Sequence, residues 1–482
     1  MKPLDNLVLD SSQNIRAAMN LLNENSRGIL FVTDNRKLIG VATDGDLRRS
    51  ILAGSKLDEN IKKAMNSKFI ALPVTSDDAI IRKTFCAELR MIPLCDDSGN
   101  LVDVADVQRS HRIPLLEPDL TGRELEYVTE CIETNWISSQ GPFVRRFEEQ
   151  FEKMHAGSYA LAVANGTVAL HLALHALGIG EGDEVIVPDV TFAATINAVF
   201  YCNAEPVLCE IDPDTLCIDV REAERLITDK TKAIIPVHLY GQPCNMNALG
   251  DLAIKHKLLV VEDCAEAIGS LWNNKPVGVF GDAATFSFFG NKTISTGEGG
   301  MLLFREKEVY ENAKILRDHG MTPGKRYWHE QIGFNYRLTN IQAAIGVAQM
   351  ERIEQILEKK KGISHLYKTI LSNVPGIFKL PPIDPSARHS YWLYTVLLDQ
   401  DIDRDLVIKR LLDLGIECRP VFFPLHSMPP YNKLKRSGPL VTSDTTSMSG
   451  ISLPTSISLT HEEIYYIGDC LKRVLADLVD KF

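Results

Sequence analysis

Six short apolar runs recur between residues 159 and 290: "YALAVANG", "DEVIVPDV", "AEPVLCEID", "KAIIPVHLYG", "KLLVVED" and "AATFSFFG". Each places apolar side chains at successive positions, so each has two faces to bury, and the stretches between them suit helices. Strands of that kind must be covered on both sides, which predicts a mostly parallel α/β sheet with helices on both faces. Residues 113–345 form this large domain. From Asn340 the run "NIQAAIGVAQMERIEQILEKKKG" reads as one long helix with Asn340 at its cap. The remainder, 346–482, combines a strand at "SYWLYTVLL" with helices at "DRDLVIKRLLDLG" and "HEEIYYIGDCLKRVLADLVD", a smaller α+β domain.

A chain of 482 residues is too long for one ordinary domain, and residues 1–112 read as a separate module. "RGILFVTDNRKLIGVATDGDLRRSIL" gives a strand, a turn at Asp34-Asn35, a second strand, and a helix opened by Asp44-Gly45-Asp46. A weaker copy follows in "RMIPLCDDSGNLVDVADVQRS", so the module is an internal repeat. The proline-punctuated "SHRIPLLEPDLTG" joins it to the sheet-forming region.

A formal net charge of -11 without a basic run argues against a nucleic-acid surface. The N-terminus lacks the apolar core of a signal peptide, and no apolar run is long enough to cross a bilayer, so a cytoplasmic protein without membrane contact is expected. Ten scattered cysteines show no CxxC pair or Cys/His zinc spacing, which predicts reduced, buried thiols and no metal. Cys264 reads as one of these small buried residues.

Ligands of open α/β sheets bind beyond the carboxyl ends of the strands, and four polar features stand there. Gly166 and Thr167 open a helix, where free N–H groups and the helix dipole suit a phosphate, although Gly-Thr before a helix is usually just a cap. Asp263 ends a strand so apolar that its charge needs a partner; a pyridinium N–H is one, and helix capping is another role for it. Lys292 lies between "TFSFFGN" and "GEGGM". The glycine positions of a phosphate-binding P-loop are absent around it, and a lysine among aromatic residues is suited to losing its proton and attacking a carbonyl. Asn335 and Arg337 occupy a polar loop before the long helix. A phosphate cradle, an acid for a ring nitrogen and then a lysine about thirty residues on form the order that a pyridoxal 5'-phosphate site requires.

From about Ile113 to its end, the chain resembles the DegT-type sugar-nucleotide aminotransferases of the fold-type I pyridoxal-phosphate class. The resemblance rests on "FSFFGNKTISTGEGGM", "VEDCAEAIGS", "PVHLYGQPCN", "RYWHEQIGFNYRLTNIQAAIGVAQMERI" and "RPVFFPLHSMPPY", together most similar to the branch that forms GDP-perosamine. It implies that Lys292 is the Schiff-base lysine and Asp263 the acid at the ring nitrogen. It implies phosphate contacts from Ser287, Gly166 and Thr167, with Phe192 stacked on the ring. Asn335 matches a phosphate ligand supplied by a neighbouring subunit, which implies a homodimer with shared sites. Asn165 stands where many members have Ser, and Glu266 where many have Gln or His near the ring hydroxyl. Related sugar dehydratases carry His in place of the lysine, so Lys292 favours aminotransfer.

The reaction implied is a two-stage exchange. L-Glutamate gives its amino group and leaves as 2-oxoglutarate, and the 4-keto group of a nucleotide-linked 6-deoxy sugar receives it. GDP-4-keto-6-deoxy-D-mannose is the expected acceptor, with a UDP-linked 4-keto amino sugar as the alternative. Trp136, Tyr327, His329, Arg419 and His426 lie in segments expected to line the sugar-nucleotide side.

The N-terminal repeat resembles a tandem cystathionine-beta-synthase (CBS) pair. Thr43 and Asp46 match the family's contacts to an adenine nucleotide, whereas Asp106 and Arg109 replace them in the second copy, so at most one such site is expected. The same two residues also suit a helix cap in a purely structural module. A regulatory nucleotide-binding protein with a vestigial catalytic half is the alternative of another class.

Overall fold

The computed structural model describes residues 6–25, 27–76, 80–81, 84–85, 89, 91–106, 113–382 and 384–479. The chain divides into two compact units, residues 1–112 and 113–482.

In the first unit, β1 (Val8–Asp10) pairs in parallel with β2 (Ile29–Asp34), and β2 pairs antiparallel with β3 (Lys37–Thr43). Helices α1 (Ile15–Asn25) and α2 (Asp44–Leu52) pack Ala18, Leu22 and Leu47 into its core. The second sheet repeats the pattern: β4 (Leu72–Pro73) is parallel to β5 (Met91–Cys95), which is antiparallel to β6 (Leu101–Asp106). Phe31 and Leu38 of the first copy share a core with Met91, Leu101 and Val104 of the second. The repeat seen in the sequence is therefore present as topology.

The second unit begins with a strap. Ile113 donates its N–H to Gly415 (2.8 Å) and accepts one from Glu417 (3.0 Å), and the carbonyl of Leu115 accepts from Thr455 (3.0 Å). Both apolar side chains are buried. Helices α3 (Glu124–Glu133) and α4 (Pro142–Met154) lead into an eight-stranded sheet.

In chain order its first strands and crossovers are β7 (Tyr159–Val163), α5 (Gly166–Ala176), β8 (Glu184–Pro188), α6 (Ala193–Tyr201), β9 (Glu205–Cys209), α7 (Val220–Leu226), β10 (Thr231–Ile234), α8 (Met246–His256) and β11 (Leu259–Asp263). Then come β12 (Ala283–Ser287), β13 (Gly300–Phe304) and the helix α9 (Lys307–Arg317). A late edge strand, β17 (Lys435–Arg436), completes the order β17-β9-β8-β10-β11-β12-β13-β7. Every pair from β17 to β12 is parallel; β13 runs against both of its neighbours. Buried side chains flank the sheet on both faces, as the apolar runs require.

The expected long helix is two helices, α10 (Asn340–Met350) and α11 (Ile353–Leu371). Arg352 leaves helical geometry (φ -112°, ψ 5°) and places its guanidinium 3.0 Å from Asp119. The cap of α10 is Thr339, in a reciprocal capping box with Gln342. Asn340 is instead a buried tie: its amide oxygen accepts from Phe143 N–H (2.9 Å), and its nitrogen donates to the Trp136 carbonyl (2.7 Å). Position 345 falls inside α10, and the two cores of this unit meet along α11.

The smaller core is built on an antiparallel sheet of β14 (Ile377–Lys379), β15 (Tyr394–Leu398), β18 (Gly450–Leu453) and β16 (Arg419–Pro420), in that order. Helices α12 (Arg404–Asp413) and α14 (His461–Val479) pack on it, while α13 (Val441–Ser449) precedes β18. Among the described residues, no helix is long and apolar enough to cross a membrane.

Candidate active site

Strands β7, β8, β11 and β12 end on one edge of the sheet, which brings Asn165, Asp189, Asp263 and Ser287 to the same side. Asn165 caps α5 by accepting from Val168 N–H (3.0 Å). The N–H groups of Gly166 and Thr167 in its first turn lack intrahelical partners. A Cβ at position 166 would lie 2.9 Å from the Cβ of Ser287, so glycine is what lets the helix end meet that serine. A Cβ at Gly300 would lie 2.6 Å from the carbonyl oxygen of Asn165, so β13 can pass beneath the same turn only as glycine. This edge is a cradle lined by backbone N–H groups and a hydroxyl.

Asp263 ends β11 and is buried, accepting from Thr195 Oγ1 (2.8 Å) and Ala265 N–H (3.1 Å). Burial raises its carboxyl above the ordinary range despite those bonds. Three residues on, Glu266 accepts from Tyr240 N–H (2.8 Å), and its other oxygen stands 3.4 Å from Lys292 Nζ. Burial raises the Glu266 carboxyl too, with Lys292 opposing. Lys292 lies in the connection between β12 and β13, and its Nζ sits 3.8 Å from the centroid of the Trp392 ring. Phe192, at the N-cap of α6, is 60% exposed, its ring 6.0 Å from Phe422.

The fold therefore gathers Lys292, Asp263 and Glu266 on one side and Gly166 and Ser287 on the other. The loop of Asn335 and Arg337 pairs its backbone with Val163 at the end of β7, and the Asn335 amide oxygen accepts from Arg337 (3.0 Å). His426 is drawn inward: Nδ1 lies 2.7 Å from the buried Asp189 carboxylate, which also accepts the His426 N–H. Trp136 and Tyr327 are exposed. His329 lies 2.8 Å from the carbonyl of His319, and Arg419 lies 3.5 Å from Glu417. These contacts do not link Trp136, Tyr327, His329 or Arg419 to Lys292. Cys264 is buried and unpaired, like every described cysteine except the half-buried Cys95.

Two residues essential to this geometry escape a reading by motif. Thr195 anchors Asp263, and Trp392 underlies Lys292 from one hundred residues away. Spacing also misses two groups of potential metal ligands, His171/His175/Cys202 and His238/Glu262/Cys264. Their buried histidines are engaged internally, His171 by the Tyr336 hydroxyl (3.0 Å) and His238 by Glu262 (3.1 Å).

In the N-terminal unit, Thr43 and Asp46 form a capping box: Asp46 accepts from the N–H (2.9 Å) and hydroxyl (2.6 Å) of Thr43, while Thr43 accepts from Asp46 N–H. Asp106 pairs with Arg27 (2.9 Å). Arg109 lies outside the described residues.

The residues present fit pyridoxal phosphate: a cradle that a Cβ would fill, an acid without a cationic hydrogen-bond partner, and an amine whose charge acts on that acid. The sequence model described as the DegT/DnrJ/EryC1/StrS aminotransferase family matches residues 118–472. The chain belongs to this family. A CBS domain model matches residues 1–53. This aminotransferase is 47% identical to a GDP-perosamine synthase of Caulobacter vibrioides, over 76% of its own length and 98% of the relative's. It is 44% identical to a GDP-perosamine synthase of Escherichia coli O157:H7, over 76% and 99%. The solved PLP form of Spr1654 from Streptococcus pneumoniae superposes with a TM-score of 0.72 at 28% identity, covering 76% of this chain and 99% of that one.

Proposed function

We propose that this aminotransferase moves the amino group of L-glutamate to C4 of a nucleotide-linked 4-keto-6-deoxy sugar. The acceptor is GDP-4-keto-6-deoxy-D-mannose and the product GDP-perosamine, a precursor of surface polysaccharide such as O-antigen. The observation that carries this reading is the likeness to two GDP-perosamine synthases over nearly their whole length, in a chain that sets Lys292 against Glu266 near the buried Asp263. Pyridoxal phosphate is the cofactor; when bound, it supplies an electrophilic aldehyde and an electron-accepting ring.

The chain's own groups do the rest. The N–H groups of Gly166 and Thr167 and the Ser287 hydroxyl hold the phosphate at the N-terminus of α5. Asp263, fixed by Thr195, would offer its carboxyl group to the cofactor's ring nitrogen and favour the protonated ring. Phe192 would pack against that ring. Lys292 would hold the cofactor through its amine, and that amine is placed to carry a proton to and from the reacting substrate carbon as general base and acid. Glu266 faces the Lys292 amine. Asn335 of a second subunit completes the phosphate site, making the working unit a homodimer. Trp136, Tyr327, His329 and Arg419 line the nucleotide-sugar side, and His426 orders that wall through Asp189. In the CBS unit, Thr43 and Asp46 offer a single adenine-nucleotide site.

The test is a pair of half-reactions. Glutamate should discharge the absorbance of the lysine-bonded cofactor, and GDP-4-keto-6-deoxymannose should restore it. Restoration by a UDP-linked 4-keto sugar alone would overturn the acceptor while retaining the lysine chemistry. A purified protein that takes up no cofactor would point to the regulatory reading. Lys292→Ala should abolish turnover; turnover retained with glutamate would remove Lys292 from its role.

A further inference from the structure

Besides Glu266, the Lys292 amine meets one aromatic side chain, which comes from the C-terminal part of the chain. Trp392 precedes β15 and is buried. Its indole N–H donates to the carbonyl of Asn291 (2.7 Å), and its ring lies beneath Nζ of Lys292 at 3.8 Å. One ring thus grips the backbone just before the lysine and the amine itself.

Trp392 is in turn held from behind. Its carbonyl accepts from Thr455 Oγ1 (2.7 Å) and from Nζ of Lys360 on α11 (3.2 Å). Lys360 is 2% exposed and also reaches the carbonyl (3.1 Å) and hydroxyl (3.5 Å) of Thr455. Among the described residues, no carboxylate forms an ion pair with it. A buried ammonium without a counter-ion is costly, and an apolar side chain of like shape would fill the space more cheaply. What the ammonium adds is three N–H donors facing three oxygens, which tie together α11, the approach to β15 and the segment after β18.

We propose that Trp392 is a positioning residue for Lys292, and that Lys360 is the anchor that holds Trp392 in place. The indole face and Glu266 flank the Lys292 amine and retain it near the reacting centre whenever it is not bonded to the cofactor. The inference rests on the proposed role of Lys292, because an amine that is released and recaptured in each half-reaction needs a fixed resting position. A cation over an indole is stabilised electrostatically, most strongly where water is excluded, and Lys292 is only 14% exposed. Burial pulls the Lys360 ammonium down to about 7, so the tie is complete on the acid side of neutrality and loses a donor above it. The acids facing the two lysines are Glu266 and Asp263 on the sheet side, with Glu117 and Asp119 beside the small cavity that both lysines line; Asp119 is paired with Arg352.

The test uses the full-length, cofactor-free protein and acetic anhydride at a series of pH values from mildly acidic to mildly alkaline, with the Lys292 peptide followed by mass spectrometry. Trp392→Leu should speed Lys292 acetylation by roughly 2- to 30-fold, the range of a lost cation–π contact. Trp392→Phe, which keeps an aromatic face, should recover most of the protection. Lys360→Met should speed acetylation in the same direction, and the difference from wild type should shrink as pH rises past neutrality. In the loaded enzyme, Trp392→Leu should lower kcat while the KM for glutamate changes little. Wild-type acetylation rates in Trp392→Leu would overturn the proposal, and wild-type rates in Lys360→Met would remove the anchor from it. If Trp392→Leu fails to fold, Trp392→Met takes its place. Because acetylation is read without cofactor or substrate, it can fail while the Lys292→Ala result stands, and the reverse.

Discussion

Consecutive residues of β11 place one carboxyl on each face of the sheet, and the two faces treat them differently. Glu262 is surrounded by donors: His238 Nε2 (3.1 Å) and the N–H groups of Gly278 (2.8 Å), Phe280 (2.8 Å) and Gly281 (2.7 Å). His238 Nδ1 accepts from Cys244 N–H, which leaves the ring proton on Nε2, facing Glu262. Burial opposes the Glu262 charge, but these bonds outweigh it and hold the carboxyl below its ordinary range. Asp263 receives two donors, and burial prevails. Glu262 has no acceptor capacity left for a ligand, whereas Asp263 is buried with a vacancy in its bonding. A saturated carboxylate holds a fold together; an under-supplied one at a strand end is available for chemistry.

The contrast can be broken from either side. The largest effect should be on turnover: Asp263→Ala should lower kcat by about 10²- to 10³-fold, the scale of losing one charge-stabilising group, while its melting temperature stays near wild type. Glu262→Gln should do the opposite. It leaves buried N–H groups without a full set of acceptors and should cost about 3 kcal/mol in chemical denaturation, with kcat of the folded fraction nearly unchanged. Equal effects of the two substitutions on both measurements would end the distinction. Thr195→Val removes a donor to Asp263 without changing shape and should reduce kcat about tenfold, since a hydrogen bond to a charged group contributes about 1.5 kcal/mol or more.

The smallest effect is a matter of sign against pH. The folded carboxyl of Glu262 lies below its unfolded value of about 4.3, so its stabilisation is present above that pH and fades as pH falls through the folded value. For Asp263 the folded value lies above the unfolded one of about 3.9, so stability is greatest below that pH and declines as pH rises towards the folded value. Melting of the cofactor-free protein should therefore show the Glu262→Gln deficit closing in acid, and an Asp263→Asn gain opening as pH rises above about 4.

Much of this was legible in the sequence. The six strands declare themselves because burial on both faces leaves little room for polar residues, and Lys292 and Asp263 stand out because each sits at an otherwise apolar strand end. The CBS repeat survives in its turns. The break between α10 and α11 is not legible, because Glu351-Arg352 suits a helix locally and the departure accompanies a guanidinium contact with Asp119, far back in the chain. Thr339 was readable: Thr-x-x-Gln is a capping-box signature, and the neighbouring Asn340 obscured it. Trp392, Lys360 and Thr195 carry no local mark, since each matters through a partner that only folding supplies.

The strap at Ile113 has a consequence for proteolysis. Because its backbone is bonded to Gly415 and Glu417, and Leu115 to Thr455, a nick ahead of residue 113 would leave the strap seated. A nick between Leu115 and Pro118 would cut off Ile113, which packs in the smaller core, and Leu115, which packs beside Tyr240 and Trp392, although the family match itself begins only at 118. Where a protease cuts within those few residues should decide whether it releases an intact enzyme or one that unravels from its small domain inward.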